Sequence, residues 1–197
     1  MTRRCNFHCT YCCAETGIDP PDKMTLDELK DVLLQAKALG AKEIVIPGEG
    51  EPFLDNNLFP LINFASANGL KVTLFTNGTL IDRNIADSLF RHRVFIVFKL
   101  HSLNRPVYDL LAGKNNVVIW GDYCVGGGKK NAFTIPVGLK YLLQGGYGDK
   151  SLFRSLNSHM CIETVVVRQN VQHIPIIAQF CKQLAIKCMV ETLIRTN

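Results

Sequence analysis

Four cysteines fall within nine residues near the start of the chain: Cys5, Cys9, Cys12 and Cys13. The run Cys5-Asn6-Phe7-His8-Cys9-Thr10-Tyr11-Cys12 has the form Cys-x3-Cys-x2-Cys. Thiolates are the ligands of iron–sulfur clusters and of structural zinc. A closed zinc site takes four protein ligands. Three thiolates in one short loop, with no obvious partner pair nearby in sequence, suit a four-iron cluster with one iron left open for a small chelating ligand. Cys13 offers two alternatives: a fourth ligand, or a replacement for Cys12 that gives Cys-x3-Cys-x3-Cys. Cys12 is preferred, because Tyr11 then supplies an aromatic side chain between the second and third cysteines. His8 is a candidate zinc ligand, with packing or solvent exposure the favoured reading.

Four short polar motifs follow expected apolar strands. These are Gly48-Glu49-Gly50-Glu51-Pro52, Thr76-Asn77-Gly78-Thr79, Lys99-Leu100-His101-Ser102-Leu103-Asn104 and Arg168-Gln169-Asn170. Glycines at 48 and 50 let a backbone approach a ligand closely, and Glu51 can accept hydrogen bonds from an ammonium group. The competing reading of Glu51 is a solvated loop carboxylate. Lys99 and His101 alternate with Leu100, so both point to one face of a strand. Each is weighed against a surface charge and a satisfied core histidine. Thr76 and Asn77 serve a ligand or form an ordinary Asn-Gly turn, and Asn170 binds a ligand or caps the next helix.

The elements that must position these residues read as alternating strands and helices. Thr25-Leu26-Asp27-Glu28 is a capping box opening a helix with an apolar stripe of Leu26, Leu29, Val32, Leu33, Ala36 and Leu39, ended by Gly40. Strands are expected at 43–47, 72–75, 94–100, 162–168 and 187–194. Further helices are expected at 58–68, after Asp82 (carrying Ile85, Ala86 and Leu89), at 137–143 and at 174–184. Residues 113–135 read as irregular, and Asp19-Pro20-Pro21 as a loop. Gly126-Gly127-Gly128-Lys129-Lys130 lacks the spacing of a phosphate loop and reads as a flexible insertion. Nearly continuous apolar strands imply a parallel sheet covered by helices. Five such units give an α/β fold with an open or partial (β/α) barrel, since a full barrel needs about 250 residues. Chemistry in such folds sits at the C-terminal ends of the strands, where all four motifs fall.

Composition bounds the rest. The 197 residues are 47% apolar and 20% charged, an ordinary globular balance. With 22 Lys and Arg against 17 Asp and Glu, the net charge is +5, spread along the chain. No apolar run reaches the ~18 residues of a membrane span, and no basic stripe marks a nucleic-acid partner. No apolar stretch follows the first basic pair, so the thiols are expected to be reduced in the cytoplasm rather than paired in a secreted scaffold. Cys124, Cys161, Cys181 and Cys188 are scattered, and the last two are expected to be core thiols.

Taken together and in this order, the cysteine loop and the strand-end motifs resemble the radical S-adenosylmethionine (radical SAM) superfamily, over nearly the whole chain. Gly48 to Pro52 is similar to that family's Gly-Gly-Glu-Pro motif. Thr76-Asn77-Gly78 resembles the turn of the molybdenum-cofactor-type members and peptide-modifying maturases. The resemblance implies a [4Fe-4S] cluster on Cys5, Cys9 and Cys12, with S-adenosylmethionine held near Tyr11, Gly50, Glu51, Thr76, Asn77, Lys99, His101 and Asn170. It implies reductive cleavage of that cofactor to a 5′-deoxyadenosyl radical, which abstracts hydrogen from an unidentified peptide or small molecule. A one-electron donor such as flavodoxin or ferredoxin is implied as a partner. Relatives place a strand before the cysteine loop and many carry a cysteine-rich C-terminal extension; neither is found here. The expectation is one core domain over 1–197, shortened at one or both ends, or a sheet that opens one strand short. The alternative function is a non-catalytic iron–sulfur or zinc redox or binding module.

Overall fold

The computed structural model describes residues 1–14, 23–113, 118–125, 132–148 and 159–192. Its elements in chain order are α1 (Leu26–Ala38), β1 (Glu43–Ile46), α2 (Leu58–Ala67), β2 (Lys71–Thr76), α3 (Arg83–Arg91), β3 (Phe95–Lys99) and α4 (Arg105–Ala112). There follow β4 (Trp120–Cys124), β5 (Ala132–Pro136), α5 (Val137–Leu142), β6 (Met160–Val166), α6 (Ile174–Leu184) and β7 (Lys187–Thr192). Five strands form one parallel sheet in the order β1-β2-β3-β6-β7, an α/β architecture consistent with a partial barrel. The expected loop at 19–21 and the glycine triplet at 126–128 lie outside the described residues.

Local sequence explains most of these elements. Thr25 and Glu28 close the expected capping box, with Thr25 N–H donating to the Glu28 carboxylate at 2.7 Å. Asp82 caps α3 by accepting from Ile85 N–H at 2.8 Å, and α3 buries Ala86 and Leu89. Alternate positions of the strands face two ways. Val72, Leu74, Ile96, Phe98, Met160 and Ile162 join the hydrophobic core with Leu58, Ile62, Ala65, Ile177 and Phe180 of the covering helices. The opposite face of β2, β3 and β6 carries Phe75, Lys99 and Glu163, which line a cavity.

Three departures from the sequence reading have physical causes. The region 113–135 is not wholly irregular: β4 and β5 pair antiparallel, Tyr123 opposite Phe133. Gly121 and Pro136 had masked these strands, because both residues are poor strand formers. Helix α4 was not foreseen, although Asn104 is a regular N-cap, accepting from Val107 N–H at 3.2 Å, with Pro106 in the first turn. Its eight residues offer only Tyr108, Leu111 and Ala112 to the core. Helix α1 has the expected stripe, but the stripe is only partly covered: Val32 remains 48% and Leu39 90% exposed.

Candidate active site

The cysteine loop is docked over the C-terminal ends of the strands by backbone and amide bonds. His8 N–H and Thr10 N–H donate to the carbonyls of Ala112 and Leu111 at 3.0 Å each. These are last-turn carbonyls of α4, which have no partner within their own helix. Helix α4 and the loop therefore complete one another. Arg4 carbonyl accepts from Glu51 N–H at 2.8 Å. A Cβ on Gly50 would stand 2.2 Å from that same Arg4 oxygen. Gly50 lines the cavity, yet its missing side chain is first required by the loop backbone rather than by a ligand. Asn77 Nδ2 donates to Asn6 Oδ1 at 2.9 Å, and Asn6 Nδ2 donates to Thr79 Oγ1 at 2.7 Å. Asn6, which the sequence reading passed over, is the amide partner that ties the loop to the Thr76–Thr79 turn. Gly78 in that turn has φ +72° and lies against the Phe98 ring, so a Cβ there is excluded twice.

Within the loop, Cys5, Cys9, Cys12 and Cys13 all line the cavity as free thiols. Cys5 and Cys9 are half-buried, and Cys12 and Cys13 are exposed. Burial raises the Cys5 thiol and pushes Cys9 up to about 11. Since a metal binds the thiolate, any metal taken up by these cysteines would have to displace these protons. Tyr11 hydrogen-bonds to Cys9, which lowers the thiol. The Tyr11 hydroxyl also meets His101 Nε2. Val165 N–H donates to His101 Nδ1 at 3.1 Å, so neutral His101 carries its proton on Nε2 and donates it to the Tyr11 oxygen. That leaves the Tyr11 O–H free to donate to Cys9 sulfur. Burial, and secondarily the Lys99 charge, lower His101 to about 3, which keeps the ring neutral.

Glu51 is 1% exposed. Its Oε1 accepts from Thr76 Oγ1 at 2.7 Å and Phe53 N–H at 3.3 Å, and its Oε2 accepts from Asn77 N–H at 2.9 Å. Burial outweighs these bonds and pushes the carboxyl up to about 7. Oε2 retains room for one more donor. Lys99 and His101 share the cavity face as their alternation requires. Lys99 is paired with Glu163 and lies 5.1 Å from the Phe75 ring centre.

The cavity has a volume of about 350 Å³ and takes in Cys5, Cys9, Cys12, Tyr11, Gly50, Glu51, Thr76, Asn77, Lys99 and His101. Asn170 is not brought there. It is fully buried, its Nδ2 donates to the carbonyls of His101 and Val165 at 3.0 and 2.8 Å, and its Oδ1 accepts from Val167 N–H at 2.8 Å. With these bonds made, Asn170 straps the end of β3 to the end of β6, and its side chain makes no cap bond to the next helix. Conversely, Glu163 and Glu191 line the cavity and were missed. A signal existed: Glu163 interrupts the apolar run 160–167, and an isolated carboxylate in a buried strand needs a partner.

Comparison with known proteins accounts for this arrangement of cysteine loop and strand ends. Residues 1–120 match the family model described as the radical SAM superfamily. The chain belongs to that superfamily. Its members use a [4Fe-4S] cluster and S-adenosylmethionine. The chain is 36% identical over 90 residues to the Fe-coproporphyrin III synthase of Methanosarcina barkeri, covering 45% of this chain and 22% of that protein. It is 29% identical over 162 residues to the GTP 3′,8-cyclase of Peptoclostridium acidaminophilum, covering 77% of this chain and 47% of the relative. Among solved structures, Streptococcus suis SuiB bound to S-adenosylmethionine superposes with a TM-score of 0.70 at 19% identity, over 100% of this chain and 38% of SuiB. SuiB has also been solved bound to precursor peptide SuiA. The radical SAM chain described here thus spans less than half the length of these relatives.

Proposed function

We propose that this protein cleaves S-adenosylmethionine reductively and uses the resulting radical on a peptide or small molecule. The observation that supports it best is the convergence of the cysteine loop with Glu51, Thr76–Asn77 and Lys99–His101 around one cavity. Cys5, Cys9 and Cys12 hold the cluster in this reading. Among the described residues, no three His, Cys, Asp or Glu side chains converge closely enough to hold a single metal ion. Three thiols in one loop at Cys-x3-Cys-x2-Cys spacing favour a polynuclear cluster with an open iron over zinc closed by four protein ligands.

When bound, the cluster and S-adenosylmethionine supply a 5′-deoxyadenosyl radical that abstracts hydrogen from the substrate. The chain's own residues bind, orient and shield. Glu51 Oε2, held by Asn77 N–H, accepts from the cofactor's ammonium group, and its burial strengthens that contact. Lys99 offers a cation to a carboxylate or ribose hydroxyl. Tyr11 donates to Cys9 and presents its ring to the cavity. Phe7, Tyr108 and Phe75 wall the cavity against water. The substrate is a peptide or a small molecule, as the range of relatives suggests, and reduction requires a one-electron donor of the flavodoxin or ferredoxin type. A cytoplasmic setting agrees with eight free thiols.

Anaerobic reconstitution with iron and sulfide, followed by reduction with S-adenosylmethionine present, tests the reading. The expected result is a cluster spectrum perturbed by S-adenosylmethionine and release of 5′-deoxyadenosine, both lost in Cys9→Ala. A cluster without cleavage would reassign the protein to electron transfer, and bound zinc would remove the origin of the chemistry.

A further inference from the structure

Strands β3, β6 and β7 set three charged residues side by side on the cavity wall. Lys99 stands opposite Glu163 in the β3–β6 register. Glu163 stands opposite Met189 on β7, and Glu191 lies two positions further along, on the same face. Diagonal neighbours of this kind are within reach of long side chains, and all three charged residues line the cavity. Lys99 is committed to Glu163 Oε1. Glu163 is fully buried, and its other oxygen, Oε2, meets no donor. Burial raises the Glu163 carboxyl against the lowering by Lys99, and the neighbouring Glu191 carboxylate, within hydrogen-bond reach but with no proton to give when both are ionised, raises it further. No ion pair to Glu191 is present among the described residues.

Two neighbouring carboxylates therefore have one lysine beside them, paired with Glu163 alone, and the buried Glu163 Oε2 is left without a donor. A buried carboxylate oxygen with no donor keeps its full desolvation penalty. Such an oxygen calls for a donor arriving from the cavity, and the negative charge of the pair calls for a cationic one. Glu51, set against the Thr76–Asn77 turn, is the acceptor for the cofactor's own ammonium in the reading above. We propose that Glu163 and Glu191 form a subsite for a cationic nitrogen group of the substrate, a primary ammonium or a guanidinium. Its N–H donors satisfy Glu163 Oε2 and reach Glu191. The inference rests on the proposed function, and it narrows the substrate to an amine- or guanidine-bearing molecule.

The test is ligand-observed NMR on anaerobically reconstituted protein with S-adenosylmethionine present, repeated on the cluster-free chain. The probes are n-butylamine and n-butylguanidine, their uncharged counterpart n-butanol, and a capped Gly-Lys-Gly peptide. The expected result is binding of the charged probes but not of n-butanol. Glu163→Gln and Glu191→Gln should each weaken binding by about tenfold or more, as loss of a charge-assisted hydrogen bond requires. S-adenosylmethionine affinity should stay unchanged in Glu191→Gln, whose carboxylate makes no ion pair with Lys99 among the described residues. Butylamine binding above the peptide's identifies a free amine, and the reverse identifies a peptide side chain. Equal binding of n-butanol, indifference to both substitutions, or displacement of the probes by S-adenosylmethionine would overturn the subsite. Glu191 lies exposed on an edge strand, so its variant remains informative if Glu163→Gln fails to fold. Binding to the cluster-free chain separates failure of the subsite from failure of cluster chemistry.

Discussion

The two ends of the cavity are built by different means. At the cysteine end, each polar group is tied to another close-fitting one: Asn6 to Asn77 and Thr79, Arg4 to Glu51, and Glu51 to Thr76 and Asn77. At the β6–β7 end, Glu163 has one oxygen paired and one bare, beside a second carboxylate. The frame of the first end is tied together by its own chain, with the thiols and one Glu51 position left open for the cofactors, whereas the second end leaves a buried acceptor bare within its own frame. A hydrogen-bonded scaffold suits a cofactor that is the same in every turnover. An unsatisfied pair suits a site whose occupant comes and goes.

This contrast can be broken at its most rigid point. Gly50→Ala drives a methyl group into the Arg4 carbonyl, and backbone lies on both sides of the clash. A loss of about 4 kcal/mol is expected, at the upper end for single substitutions, with cluster loading falling in parallel. Denaturant unfolding of the anaerobic protein and iron quantitation read both. A normal midpoint would show that the loop is less tightly fixed than its contacts imply.

Glu51 sharpens the comparison through pH. Its folded pKa, about 7, lies above the ordinary carboxylate value of 4.5. Between these values the folded state binds more protons than the unfolded state, so stability falls as pH rises. Relative to Glu51→Gln, the cofactor-free protein should lose of the order of 3 kcal/mol between pH about 4.5 and about 7. His101 works in the opposite sense. Its folded pKa is depressed to about 3, so its contribution is lost as pH falls below about 6.5. The difference between variant and parent cancels the His101 term. Parallel pH curves for the two proteins would refute the burial argument for Glu51.

Asn170 gives the smallest effect and separates scaffold from site. Removing the strap with Asn170→Ala leaves the carbonyls of His101 and Val165 and the Val167 N–H unpaired, and should cost about 2 kcal/mol. Affinity for S-adenosylmethionine should change less than twofold. A large loss of affinity at unchanged stability would establish the ligand role that the strand-end pattern suggests.

Legibility followed the same division. The cysteine loop, Glu51 and the Thr76–Asn77 turn stand out because each motif is contiguous and its residue types serve few other purposes. Lys99 and His101 were readable from strand alternation alone. Asn170 was ambiguous, since an asparagine after a strand serves a strap, a cap or a ligand with the same side chain. Helix α4 and the β4–β5 hairpin were hidden because a short element derives its stability from packing more than from its own propensities. Tyr108 of α4, for example, stands edge-on to both Phe7 and Trp120.

The sequence by itself determined the parallel α/β alternation, the helix caps and the contiguous cysteine loop, because these depend on residues a few positions apart. Only the tertiary structure decided that Glu163 and Glu191 meet across the cavity from the cysteine loop. Their meeting depends on β6 pairing with both β3 and β7, and side chains brought together by strand order leave no trace in local spacing.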